Sequence, residues 1–407
     1  MKSVPTLLIL ADDVTGAADC AARCKGAGLP ATIVLAPSTV ASLPTGAVAV
    51  SSDSRYLAPA AAAACVHDLF RTLLQAAPPS AIWYKKIDST LRGNIGAELT
   101  ALLALTASST TQPCAVISPG FPAHGRGLIE GYLVYDQAAT PRLHLPTLLQ
   151  QQTALPQASV GLAVVRAGVA ALAATLDAGY RAGAQLLVID ALTEADLSTI
   201  YQATQQALPQ ALFCGSAGLM GAIATALVAA QGEMAGLALA SPPRLAYPML
   251  AVVGSGSIMA HRQLSRLRQE STVDIYEVAL QQQAHVDLVA GAGNQAACVL
   301  HLLPPPLGAQ LEGELARQYA STLATVAQQL IEQRLPRTLL LVGGDTAVHL
   351  LQVLGIEKLQ VDAELLPGMP LTSGTTVAGQ RYQIILKAGN HGDEQTLVTL
   401  FAYGETR

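Results

Sequence analysis

Aromatic side chains are scarce in this 407-residue chain, at 4% of the residues, with a single Trp. A core without many rings has to be built from small aliphatic contacts, which suits helices packed on sheets. Charge is scarce too, at 13%, while hydrophobic residues make up 51%. That balance excludes a disordered chain, which needs low hydrophobicity and high charge. No run of Lys or Arg stands out and the formal net charge is −5, so the basic footprint of a nucleic-acid partner is missing. Six cysteines, Cys20, Cys24, Cys65, Cys114, Cys214 and Cys298, show neither a CxxC pair nor a zinc spacing. Buried thiols in a reducing compartment are the expectation. The best membrane candidate, Ala217–Ala230, is too short to span a bilayer and reads as a buried helix. The segment MKSVPTLLILADD lacks the long apolar run of a signal peptide. A cytoplasmic protein with no membrane partner is expected, and a homo-oligomer is left open.

What is present is alternation. Short β-branched runs take turns with Ala/Leu-rich helical stretches, which predicts parallel sheets covered on both faces. Strands are expected near Thr6–Leu10, Ala31–Leu35, Val48–Val50, Ile82–Lys86, Ala115–Ile117, Leu186–Ile189 and Leu212–Cys214. A second series is expected near Leu250–Val253, Val273–Val278, Cys298–Leu302, Leu339–Val342 and Gln383–Leu386. Around Gly232–Pro248 the prolines of GEMAGLALASPPRLAYP interrupt any regular element. The fold class is therefore α/β with two domains, 1–232 and 249–407, a linker at 233–248 and a cleft between the domains. The proline- and glutamine-rich stretch Gln137–Ala158 shows no period and reads as an excursion or lid.

Ligands of open α/β sheets bind beyond the carboxyl ends of the strands. In the first half those ends carry charge. The first strand runs into Asp12-Asp13-Val14-Thr15-Gly16, the third into Ser51-Ser52-Asp53-Ser54-Arg55, the fourth into Lys85-Lys86-Ile87-Asp88-Ser89-Thr90-Leu91-Arg92. The fifth runs into Ser118-Pro119-Gly120-Phe121-Pro122-Ala123-His124-Gly125-Arg126. Such groups suit a small polyhydroxy anion. Arg55 and Arg92 can clamp a carboxylate with paired hydrogen bonds, with Lys85 and Lys86 as point charges. Strand alternation sends Lys85 and Ile87 to one face, Lys86 and Asp88 to the other, so one lysine enters the site. Asp12, Asp13 and Asp88 can orient hydroxyls, and one of them can act as general base.

In the second half the strand ends carry glycine: Gly254-Ser255-Gly256-Ser257, Gly343-Gly344-Asp345-Thr346 and Lys387-Ala388-Gly389-Asn390-His391-Gly392. Bare amides and helix N-termini make a cradle for nucleotide phosphates. No GxxxxGK[ST] and no protein-kinase signature occurs. Gly254–Met259 starts like GxGxxG, with Glu277 further on, but Met259 takes the third glycine position. An NAD-dependent hydroxy-acid dehydrogenase is therefore the runner-up, and a non-catalytic sugar-acid sensor the third reading. His124 and His391 sit in glycine-rich loops, His261 and His349 in helical patterns, and no metal spacing joins them. Any metal is expected to be Mg²⁺ held in part by nucleotide phosphates.

The ordered set ADDVTGAAD, SSDSR, YKKIDSTLRGNIGAE, SPGFPAHGR, CGSAGL, GSGS, GGDTA and LKAGNHGDE, from Leu8 to Thr396, resembles the four-carbon acid sugar kinase family. The resemblance implies ATP-dependent phosphorylation of the terminal hydroxyl of a C4 sugar acid. It places the acid on the N-terminal domain, at Asp12, Arg55 and the Lys85–Asp88 segment. ATP is placed on the C-terminal domain, at Ser255, Gly343, Gly344, Asp345, Thr346 and Gly389. The Lys85-Lys86-Ile87-Asp88-Ser89 run is similar to D-threonate and D-erythronate kinases, with D-threonate the favoured acid. A 3-oxo-tetronate kinase would carry a Cys-Ser-Thr-Phe-Asp-Ser type run there. His391 stands where many relatives have an aromatic residue.

Overall fold

The computed structural model describes residues 6–36, 43–106, 112–135, 143–230, 244–271, 273–278, 296–302 and 313–403. The chain divides into two compact units, Met1–Thr32 with Pro37–Leu237, and Ile33–Ala36 with Ala238–Arg407. Most of the expected linker, 233–243, lies outside the described residues.

The chain opens with β1 (Leu7–Ala11), α1 (Val14–Gly26), β2 (Ala31–Val34), β3 (Ala47–Ser51), α2 (Pro59–Ala76), β4 (Ile82–Lys86) and α3 (Ile95–Thr106). It continues with β5 (Ala115–Ser118), β6 (Arg126–Ile129), β7 (Tyr132–Tyr135), α4 (Leu145–Gln152), β8 (Gln157–Val160), α5 (Leu162–Arg166) and α6 (Val169–Arg181). β9 (Leu186–Ile189), α7 (Glu194–Ala207), β10 (Leu212–Gly215) and α8 (Ala217–Ala230) follow. Seven strands lie in the order β3-β1-β4-β10-β5-β9-β8, each neighbouring pair parallel. Parallel neighbours need crossover connections, and these bring helices onto the sheet. α1 packs on α8, α8 on α7 and α7 on α6, while α2 packs on α3. β1, LLILA, is buried at every position, as an all-parallel sheet requires. Asp13 caps α1 by accepting from Gly16 N, and a Thr193/Asp196 capping box opens α7; a cap of this kind contributes about 1 kcal/mol.

Two parts of this unit differ from the sequence expectation. The described part of Gln137–Ala158 holds α4 and the start of β8, a strand parallel to β9. β6 and β7 form a hairpin whose two turn residues, Glu130 (φ 50) and Gly131 (φ 74), both take positive φ, matching the right-handed twist of the strands. Asp190, after β9, clasps that turn: its carboxylate accepts Glu130 N at 2.6 Å and Gly131 N at 3.0 Å.

The second unit holds β11 (Met249–Val253), α9 (Ile258–Glu270), β12 (Asp274–Val278), β13 (Ala297–Leu302), α10 (Gly313–Arg334), β14 (Thr338–Val342) and α11 (Gly344–Val353). β15 (Lys358–Leu366), β16 (Met369–Thr375), β17 (Arg381–Lys387) and α12 (Thr396–Ala402) complete it. The order is β12-β13-β11-β14-β17-β16-β15. The first five strands are parallel, and β17, β16 and β15 form an antiparallel meander of which only β17 was in the sequence expectation. Ala251, Val253, Leu340, Val342 and Ile385 of the sheet bury against Leu264 and Leu267 of α9 and Leu397 and Leu400 of α12. Each large aliphatic buried this way contributes about 1.5–3 kcal/mol.

Both sheets reverse their strand order at a central strand. β1 lies between β3 and β4, and β11 between β13 and β14. The carboxyl ends of β1 and β11 are therefore the places where an open α/β sheet leaves a crevice. The described cysteines are free; five are buried and Cys65 is half-buried. Burial pushes the Cys214 thiol up to about 12 and Cys114 and Cys298 to about 11, which leaves them protonated and unreactive. Among the described residues no helix is long and apolar enough to cross a membrane.

Candidate active site

β1 ends at Ala11 and hands the chain to Asp12 and Asp13. The loop after β3 folds onto this end. Ser52 Oγ donates to Ala11 O at 2.9 Å, and the N–H groups of Ser54 and Arg55 reach Asp12 O at 3.0 and 3.3 Å. Arg55 is thereby set against both carboxylates. Its Nε and Nη2 donate to Asp12 Oδ2 and Oδ1, each at 2.8 Å. Its Nη1 and Nη2 donate to Asp13 Oδ2 at 2.6 Å and Oδ1 at 2.8 Å. The fork expected to face a substrate carboxylate thus spends four of a guanidinium's five N–H groups on the protein's own acids. Burial by itself raises the Asp12 carboxyl. The charge and hydrogen bonds of Arg55, with the charges of Lys85 and Lys86, outweigh it and hold Asp12 below the usual carboxylate range. Burial likewise opposes the Arg55 charge, and Asp12 and Asp13 overcome it, so Arg55 stays a cation.

The structure separates the two lysines. Lys85 turns toward α3, where its Nζ lies 2.7 Å from Glu98 Oε2, with both side chains buried. Ser54 Oγ donates to the other Glu98 oxygen at 2.5 Å. Lys86 turns to the start of α1, its Nζ 3.0 Å from where a Cβ on Gly16 would stand. It donates to Ile87 O at 2.9 Å, and no ion pair of Lys86 occurs among the described residues. Asp88 pairs with Arg92 Nε and accepts Thr90 Oγ1 at 2.5 Å. Burial raises its carboxyl, but Arg55 and Arg92 outweigh this and keep it well below the usual range. Ile87 is buried and offers its carbonyl. Arg126, at the start of β6, donates from Nη1 to Ser89 Oγ at 2.5 Å.

Asp12, Asp13, Arg55, Lys86, Asp88 and Arg92 therefore meet at one strand edge, with Lys85 behind them. Two loops there hold non-glycine residues at positive φ, Asp53 (50) and Leu91 (63). For Leu91 this costs about 1–2 kcal/mol, strain of the kind that binding loops carry. Sequence reasoning missed Glu98 as the Lys85 counter-ion and Arg126 as a neighbour of Ser89. The signal for Glu98 was present: it is the only acid in the apolar helix IGAELTALLALT.

In the second unit the glycine segments close on one another. A Cβ on Gly389 would collide with Ser255 Oγ, and one on Gly254 with Thr346 Oγ1. Gly343, at φ 113, caps α11, and a Cβ there would stand 3.3 Å from Ser255 N. Ser257 caps α9 by accepting Ala260 N at 3.2 Å. Ser255, Gly343, Thr346 and Gly389 thus share one small region, at the N-terminus of a ten-residue helix whose first amides are unsatisfied within the helix. Glu277, weighed as the ribose carboxylate of a dinucleotide site, is paired instead with Arg268.

Residues 7–223 match the family described as a sugar-binding N-terminal domain, and 250–397 the one described as a nucleotide-binding C-terminal domain. The chain is 32% identical to a D-threonate kinase of Cupriavidus necator, over 96% of each chain. The chain belongs to the four-carbon acid sugar kinase family. A second relative in this kinase family, a D-threonate kinase of Salmonella typhimurium, is 28% identical over 98% of each chain. A solved structure described as a putative tRNA synthase from Salmonella typhimurium shares the fold, with a TM-score of 0.75 at 22% identity, covering 98% of this chain and 99% of that one. The charged strand edge lies inside the sugar-binding match of this kinase-family chain, and the glycine segments inside the nucleotide-binding match.

Proposed function

We propose that the chain is an ATP-dependent kinase of the terminal (4-)hydroxyl of a four-carbon sugar acid. D-threonate, giving 4-phospho-D-threonate, is the favoured substrate; D-erythronate and 3-oxo-tetronate are the alternatives. The observation that supports this most is the division of chemistry. Paired carboxylates and cations gather at the switch point of the sheet in the sugar-binding match. Bare amides and hydroxyls gather at the switch point of the sheet in the nucleotide-binding match.

The acid's carboxylate is taken by Lys86, Arg92 and the remaining N–H of Arg55. Its hydroxyls are received by Asp12, Asp13 and Asp88. Lys85 and Ile87 support that segment from behind. Asp12 stays ionised because Arg55 holds it so, and each of its oxygens has a lone pair left to accept the proton of the acceptor hydroxyl. A positioned general base contributes about 10²–10⁴-fold; Asp88 is the second choice. The phosphates of ATP lie on Ser255, on Gly343, Gly344, Asp345 and Thr346 at the α11 N-terminus, and on Gly389, where amides and helix dipole favour anions. Phosphoryl transfer needs placement and charge stabilisation more than covalent chemistry. Among the described residues no cluster of three or more His, Cys, Asp or Glu side chains could hold a metal. Mg²⁺ would be carried mainly by phosphate oxygens and water, with Asp345 the carboxylate within the glycine segments, and would add positive charge.

The test is ADP release from Mg·ATP across a panel of C4 to C6 sugar acids. Stimulation by D-threonate above the other acids is expected. Stimulation by another C4 acid reassigns the substrate, and no stimulation by any acid overturns the reading.

A further inference from the structure

We propose that Lys387 is the cation of the nucleotide site, placed at the junction of the glycine segments to take up the charge of the terminal phosphates. This rests on the ATP reading above.

A nucleotide tail carries several negative charges, and amides and hydroxyls bring only partial ones. Within Gly254–Ser257, Gly343–Thr346 and Lys387–Gly392, Lys387 is the one Lys or Arg. It is the last residue of β17, paired in register with Val342 at the end of β14. Its carbonyl accepts Gly343 N at 3.0 Å. Gly389, two residues on, lies against Ser255. The Lys387 side chain bends toward the carboxyl end of the strand, where Nζ donates to Ala388 O at 3.1 Å. Lys387 therefore touches, through its own backbone or the next residues, both other glycine segments.

The ammonium is also left without a counter-charge. Lys387 is fully buried, and no ion pair of it occurs among the described residues. The charged groups on the surrounding elements are engaged elsewhere. Arg262 of α9 pairs with Glu394, Arg266 with Glu270, and Asp393 accepts from Thr396 and Gln395. His261 bonds Ser257 O, and Asp345, in the first turn of α11, and His391, in the Lys387 loop, have partners too. Burial is the sole cause of a shift that brings the Lys387 ammonium down to about 7. Lys85, equally buried, has Glu98 beside it; Lys387 has no such acid. A buried cation without an anion is unfavourable, and an arriving phosphate supplies the missing charge. Its arrival raises the lysine's affinity for a proton, so above neutrality nucleotide binding draws a proton from solvent.

The experiment is calorimetry of Mg·ATP binding to the full-length protein at pH 8, in Tris and in HEPES, whose different ionisation enthalpies report protons taken up. The unaltered protein is expected to take up a proton fraction on binding. Lys387→Met is expected to weaken Mg·ATP by about 10- to 100-fold, the loss of one charge-assisted hydrogen bond, and to abolish the uptake. Lys387→Arg, permanently charged, is expected to restore affinity without restoring the uptake. Equal affinity and equal uptake in Lys387→Met overturn the inference and leave the kinase reading standing. No uptake by the unaltered protein overturns it even if the variants fail to fold. Absence of any nucleotide binding by the unaltered protein removes both.

Discussion

Glu98→Gln isolates a charge inside the first unit without changing shape. Lys85 and Glu98 are 0% and 1% exposed and 2.7 Å apart. The amide keeps an oxygen for the Ser54 hydroxyl but leaves the ammonium with no counter-ion. Breaking a buried pair in this way costs about 3–5 kcal/mol. For a unit of this size each kcal/mol shifts Tm by about 2–4 °C, so Tm is expected to fall by about 6–20 °C in thermal scans. Lys85→Met with Glu98→Leu removes both charges and refills the space with methylenes. That double variant is expected to recover the loss, because paired apolar replacement is neutral or stabilising by about 1–4 kcal/mol. It should also keep its affinity for the sugar acid to within a few-fold, since Lys85 faces α3, whereas Lys86→Met should lose it. A Tm for Glu98→Gln within 2 °C (roughly 1 kcal/mol) of the unaltered protein, or a double variant less stable than the single, refutes the reasoning.

Asp12→Asn is expected to lower kcat by about 10²–10⁴-fold while Mg·ATP still binds by calorimetry; an unchanged kcat removes Asp12 as base. Asp88 has a folded pKa below its ordinary value near 3.9, so its contribution is fully present above about pH 4 and lost as pH falls below that. Tm measured from pH 2 to 4 should therefore fall less steeply in Asp88→Asn than in the unaltered protein. Gly389→Ala sets a methyl into Ser255 Oγ and is expected to raise the KM for ATP by about tenfold or more, with sugar-acid affinity, read by calorimetry, unchanged.

The parallel strands were legible because burial on both faces writes itself as continuous apolar runs: LLILA, MLAVV and TLLLV are each buried throughout. The meander was not. β15, KLQVDAELL, and β16, MPLTSGT, mix polar and apolar residues, and their pairing depends on β17, a neighbour that single-sequence periodicity does not see. The hairpin of β6 and β7 was hidden for the same reason, since its turn is held by Asp190, about sixty residues away. The residues of the charged site could be named from where the strands end. Their division of roles could not. Which lysine faces the site was decided by a glutamate on the next helix, and the Arg55 fork was filled by two acids just past the end of β1, 43 and 42 residues earlier. Lys387 was named only as the start of a glycine segment, because its burial without an acid beside it is a fact of packing that the sequence does not carry.

The interlock of Gly254 with Thr346 and of Gly389 with Ser255 limits how this sequence can drift. Neither glycine can gain a side chain while the opposing hydroxyl stands, and shrinking that hydroxyl first removes a group that the cradle offers its ligand. Change in this corner has to come as coordinated exchanges at both members of a pair, passing through forms that hold nucleotide poorly. Homologues that escaped the constraint should differ at the two partners together.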